Sequence, residues 1–224
     1  FGLLFGLVLI LLTSGWISPS LNHDGYLING ALAGLAGYAG LLCLYAGLST
    51  GRMGVVSPIS SLSVLLPLFF ALVIKGDRLS TTVTIGVIAA VLGGFLASGP
   101  EVTQGLPLKP VLLAIGAALG FGTALTFMAI GSQESSLMTM TTMRATTFFV
   151  SVGFFIKMRG FGGVSKKDIP LLAAIGIADF LANLLLGVAT TKGLVSIAMV
   201  LGSLYPIATA ILAYLFLHER LHKA

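Results

Sequence analysis

The chain has 224 residues, 57% of them hydrophobic and 8% charged, with a formal net charge of +5 and one cysteine. A soluble domain carries about 25% charged residues, so this composition, with a mean hydropathy of +1.07, excludes a water-facing globule. The basic residues are too scattered for a nucleic-acid surface, and the lone thiol of Cys43 excludes an internal disulfide or a cysteine metal cluster.

Apolar runs of about 20 residues are the expected unit of a bilayer protein. The first run, 1–17, has no basic leader and no small-residue cleavage site, so it reads as a transmembrane helix with Trp16 at the interface. Run 28–48 contains "GALAGLAGYAG", in which Gly30, Gly34 and Gly37 lie on or near one face and allow close helix packing. Tyr38 and Tyr45 on the same helix read as packing residues or interface anchors. Run 55–74 contains Pro67, which removes a backbone bond and deprives the Ser63 carbonyl of its regular partner. It leads into Asp77-Arg78-Leu79, and the Gly-rich run 82–98 follows.

Runs 110–130 and 138–156 come next. Gly116 and Gly120 repeat the small-residue spacing in the first, and Arg144 lies inside the second. Thr139, Thr141, Thr142, Thr146 and Thr147 are spread too widely around their helix to define a face. Run 169–190 carries Asp179 near its middle, with Asn183 one turn on and on the same face. Run 194–217 contains Pro206, which acts on the Gly202 carbonyl as Pro67 acts on Ser63, and it leads into Glu219-Arg220-Leu221. Strand-like alternation is absent from the sequence. The expected fold is therefore an all-α membrane protein, a bundle of eight transmembrane segments that satisfies its own backbone hydrogen bonds.

Two stretches are related. Residues 63–79 read "SVLLPLFFALVIKGDRL" and residues 203–221 read "SLYPIATAILAYLFLHERL". Each has Ser, then Pro, an apolar run, and acid-Arg-Leu. Five apolar segments lie between the triplets. An odd number puts them on opposite sides of the membrane, which is an inverted-topology repeat, a common build of secondary transporters. The first repeat is expected over 1–98, a linker over 99–109, and the second repeat over 110–224. A helix follows Leu79, but only His222, Lys223 and Ala224 follow Leu221. On a five-plus-five pattern the first and last helices are expected to be missing from this chain.

The stretches "GVVSPISSLSVLLPLFFALVIKGDRLS", "IGVIAAVLGGFLAS" and "ATTKGLVSIAMVLGSLYPIATAILAYLFLHERL" also carry a likeness. They resemble the two halves of an EamA-type member of the drug/metabolite transporter superfamily. That family's pattern is a Pro-containing helix ending in Gly-Glu-Arg-Leu, then a Gly-rich helix. Here Asp77 stands for the usual Glu and His218 for the usual Gly. The resemblance implies ten helices in two inverted repeats, a bacterial inner membrane, and export or exchange of small organic metabolites such as amino acids or drugs.

A charge at the bilayer centre costs about 2.5–3.5 kcal/mol on insertion scales, so each one needs a reason. Arg144 and Asp179 are expected to face the bundle interior, as a pair or flanking a polar cavity. Asp179 would carry a proton or bind a cationic group of the substrate. The alternatives are structural: Arg144 could snorkel to the interface, and Asp179 with Asn183 could hold helices together. Helix breaks at membrane depth must be buried in protein or line a cavity. That makes Ser63, Ser203 and Tyr205 candidate lining residues beside Pro67 and Pro206, against the alternative of a packing kink.

The letters "HERLH" spell a zinc-protease motif in His218, Glu219 and His222. A third ligand would have to come from another helix, and what repeats between 76–80 and 218–222 is acid-Arg-Leu without histidines. A metalloprotease is the rival reading, and a non-transporting scaffold half is a third. No Gly-x-Ser-x-Gly elbow or phosphate-binding loop supports another enzyme, and no cofactor is expected. The expected partners are a small-molecule substrate, protons as a candidate coupling ion, the bilayer, and a second copy as a candidate homodimer. Charge counting puts Arg52, Lys109, Lys157, Arg159, Lys166, Lys167, Arg220 and Lys223 on one side, against Lys75, Arg78 and Lys192 on the other, and so places the first group in the cytoplasm, whereas the resemblance implies the opposite orientation.

Overall fold

A computed structural model of the chain describes residues 1–19, 24–50, 53–97, 108–158 and 165–202. Among the described residues all regular structure is helical. The helices are α1 Gly2–Thr13, α2 Tyr26–Leu48, α3 Met53–Ser61, α4 Leu65–Phe69, α5 Thr81–Ala97, α6 Leu108–Met158, α7 Ile169–Lys192 and α8 Val195–Gly202. Four described helices are long and apolar enough to cross a membrane: Tyr26–Leu48, Val55–Ile74, Leu108–Ile156 and Ile169–Lys192. The last apolar run is described only to Gly202. Ser203, Tyr205, Pro206, Glu219 and Arg220 lie outside the described residues.

Helix α6 shows how a short polar stretch redirects an apolar chain. Its 51 residues would run about 76 Å if straight, more than twice a hydrocarbon core of about 30 Å. It breaks at Ser135, whose backbone is extended (φ −161°, ψ 113°). The Ser135 hydroxyl accepts the Met138 N–H at 3.2 Å, which is the N-cap geometry that starts a new helix. Residues on either side of the break then meet. A Cβ on Gly131 would sit 2.9 Å from the Thr139 side chain, although eight residues of straight helix span about 12 Å. The chain folds back here into two arms. The polar gap expected at 131–137 is thus nearly all helical, because one capped serine suffices for the turn.

The span after α2 is irregular around its prolines. Pro58 lies inside α3, a 3₁₀ turn covers Leu62–Val64, α4 contains the buried Pro67, and a π-helical turn covers Phe70–Ile74. Proline cannot donate to the carbonyl four residues back, and the tighter and looser turns accommodate that loss. Gly76, at a left-handed φ of 72°, ends the span, with the Asp77 N–H reaching back to Ala71 O at 3.0 Å. The bond reaches one residue further back than in a Schellman closure, as follows from the wider π-helical turn that precedes it.

Two compact units are formed, Phe1–Ala36 with Thr126–Lys192, and Gly37–Leu125 with Gly193–Ala224. Each takes segments from both expected repeats. In the first unit, α2 packs on the second arm of α6. Cβ atoms on Gly30 and Gly34 would lie 2.8 Å from Thr139 O and 2.7 Å from Met143 O, with Thr142 and Thr146 beside them. Thr139, Thr142 and Thr146 therefore do share a face, the one toward α2, while Thr141 faces Gly6 of α1. The threonines looked scattered in sequence because two neighbouring helices read two different faces of the arm. One end of this unit is tied by polar contacts. Glu134 accepts the Tyr26 N–H at 2.6 Å and so caps α2, the Tyr26 hydroxyl donates to Ile17 O at 2.9 Å, and Gln133 donates to Thr190 O at 3.3 Å. In the second unit, α8 packs on α4 and α5.

Candidate functional site

The first unit brings together the charged residues expected at membrane depth. At about 1.5 Å per residue, Arg144 lies about 13 Å beyond the Ser135 break, and Asp179 about 15 Å into α7. The Arg144 guanidinium and the Asp179 carboxylate form an ion pair. Asn183 donates its side-chain amide both to the other Asp179 carboxylate oxygen at 3.0 Å and to the Asp179 carbonyl at 2.8 Å. Each carboxylate oxygen thus has a partner. Arg144 is 19% exposed and Asp179 51%, and the buried Arg144 Nε has no hydrogen-bond partner among the described residues. A guanidinium carries five N–H donors in a planar fork, so this pair leaves donor capacity for a further anionic or carbonyl group.

The proline site lies in the second unit. A Cβ on Gly122 would sit 2.6 Å from Ser63 O and 2.8 Å from Leu66 Cβ. The carbonyl that Pro67 cannot serve is therefore pressed against the α6 backbone, and only a glycine leaves room for it.

Asp77 and Arg78 part ways. Arg78 is exposed. Asp77 turns to α8, where its Oδ2 accepts the Ser196 N–H at 3.0 Å and the Ser196 hydroxyl at 2.8 Å. It acts as an N-terminal cap supplied from 119 residues away, where a carboxylate also meets the positive end of the helix dipole. The next residue but two, Ser80, starts α5 by accepting the Val83 N–H at 3.4 Å. The stretch "GDRLS" thus ends one helix, caps a second and begins a third. Replacing Asp77 with alanine is expected to cost about 1–2 kcal/mol. Thermal unfolding in detergent measures this, and an unchanged midpoint would remove the capping role.

The sequence reading did not find Gly2, Gly6, Phe180, Ser135, Glu134 or Ser196. Gly2 and Gly6 carried a signal, the same small-residue spacing seen at Gly30 and Gly34. The caps at Tyr26 and Ser196 carried none, since each is supplied by a distant segment, and the Ser135 cap is local but sits in a polar gap that does not single it out.

A family model matches residues 108–224, and its description is the EamA-like transporter family. The chain belongs to the EamA-like transporter family. No curated protein and no solved structure matches it. The matched region of this EamA-like protein includes α6, α7, the Arg144–Asp179 pair, and the "HERLH" letters. The family consists of membrane transporters and is generally not enzymatic, and His218, Glu219 and His222 lie outside the described residues. Among the described residues no group of three or more His, Cys, Asp or Glu is placed to hold a metal ion.

Proposed function

We propose that this EamA-like protein is a secondary active transporter that exports or exchanges small organic metabolites, amino acids or drugs among them, across a bacterial inner membrane by alternating access. The observation that carries the proposal is the Arg144–Asp179 pair. Two opposite charges on facing helices are costly in a bilayer unless paired. Opening such a pair exposes one cation and one anion. A solute bearing both charges replaces both partners at once and keeps the site neutral, whereas a solute of single charge leaves one group unpaired. A zwitterion therefore fits better than a simple ion or an uncharged solute, with protons as the coupling ion.

The two-repeat organisation, 1–98 and 110–224 with a linker at 99–109, belongs to the same proposal. Gly54-Val55-Val56-Ser57 before Pro67 parallels Gly193-Leu194-Val195-Ser196 before Pro206, and serine precedes proline by the same interval in both. Purified protein in liposomes, given an imposed pH gradient and a panel of zwitterionic, cationic, anionic and neutral solutes, tests the function. Gradient-dependent flux of zwitterions above the other classes is expected. A panel in which no solute moves faster than in protein-free liposomes would overturn the proposal.

A further inference from the structure

We propose that Phe180 is a positioning residue for the Arg144–Asp179 pair, acting through the glycine face of α1. The idea rests on the proposed role of that pair, but its mechanical content stands on contacts alone. Phe180 follows Asp179 directly, and consecutive residues of an α-helix point about 100° apart. Fixing the direction of the ring therefore fixes the direction of the carboxylate.

The ring is fully buried. Its seat is the gap left by Gly6, where a Cβ would lie 2.8 Å from Phe180 Cε2 and 2.9 Å from Cζ. Phe5 closes the seat edge-on, with ring centroids 5.7 Å apart and planes at 84°. The α1 and α7 backbones meet at the same level, since a Cβ on Gly2 would touch Gly176 O at 2.9 Å. With backbones this close, α7 has little freedom to rotate.

The partner of Asp179 is gauged from the same surface. A Cβ on Gly6 would lie 2.7 Å from Thr141 Oγ1, and one on Gly2 would lie 3.8 Å from Arg144 Cδ. Thr141 and Arg144 are three residues apart and share a helix face. One short strip of α1 thus sets the position of the arm that carries the cation and of the helix that carries the anion. The pair itself is sensitive to misplacement, because the buried Arg144 Nε contributes no bond among the described residues.

The test is a double-mutant cycle on thermal unfolding in detergent. Parent, Arg144→Gln, Asp179→Asn and the double variant give the non-additive part of the midpoint shift, which reports the pair. The cycle is then repeated with Phe180→Ala, and with Phe180→Leu in case the alanine variant does not fold. The expected result is that the non-additive part vanishes with Phe180→Ala and is largely kept with Phe180→Leu, which still fills most of the seat. A Phe180→Ala protein that unfolds earlier yet keeps the full non-additive shift would overturn the proposal and leave Phe180 a packing residue. This readout needs no solute. A cycle that behaves as expected in a protein that moves nothing would support the positioning role while the transport reading fails.

Discussion

Removing one member of the Arg144–Asp179 pair is expected to destabilise the protein more than removing both. Asp179→Asn leaves a largely buried guanidinium without its counter-charge, and Arg144→Gln leaves a half-exposed carboxylate with the Asn183 amide on one oxygen. Breaking a buried pair from one side costs about 3–5 kcal/mol. The guanidinium is the more buried partner, so a value of about 3 kcal/mol, at the low end of that range, is expected for Asp179→Asn, and a smaller one for Arg144→Gln, which leaves the half-exposed carboxylate. The double variant Arg144→Gln with Asp179→Asn keeps two neutral amides that can bond to each other, and it should recover most of the loss. Transport should not recover with it, because the neutral pair offers a solute no charge to replace. Unfolding midpoints and liposome flux, measured on the same three variants, separate the two effects. Asp179→Asn with flux and pH dependence equal to the parent would end the assignment of this residue to the transport site.

The second large effect is expected at Gly122. Its alanine variant places a methyl group 2.6 Å from Ser63 O and 2.8 Å from Leu66 Cβ. The first of these is backbone within a proline-broken span, so neither atom can swing away as a side-chain end would. Overpacking of this kind costs about 1–3 kcal/mol. Gly86 supplies the control. It lies in α5 with nothing within 4 Å of a new Cβ, and Gly-to-Ala in a helix interior gains up to about 1 kcal/mol. The two variants should therefore shift the unfolding midpoint in opposite directions. Equal shifts would mean that Gly122 and the Ser63 carbonyl are not in contact.

Much of the helical framework was legible because a bilayer demands long uninterrupted apolar runs. The runs at 28–48, 82–98 and 169–190 fall within a few residues of α2, α5 and α7. The serine turn at 135 was visible only as a gap, since a break of one residue leaves no compositional trace. Of the site, Arg144, Asp179 and Asn183 were legible by cost, as polar groups in segments that otherwise exclude them. The structure brings these three together. Phe180 was not legible, because a phenylalanine in an apolar helix is ordinary until the glycines facing it are known. The threonine face toward α2 was hidden for a related reason: the pattern of one helix was written by two neighbours.

The long-range cap from Asp77 to Ser196 bears on how the protein is made. Asp77 leaves the ribosome 119 residues before the serine it will hold. At a synthesis rate of about 5–20 residues per second, the carboxylate waits roughly 6–24 s at the membrane before its partner exists. During that interval the first half of the chain must be held by its own contacts, with the end of its proline-broken span still unanchored. Assembly of the second unit is completed only when the later helix is delivered. A fault in translation or insertion beyond residue 192 would thus leave an already inserted half with an unmet charge, a state that membrane quality control could recognise.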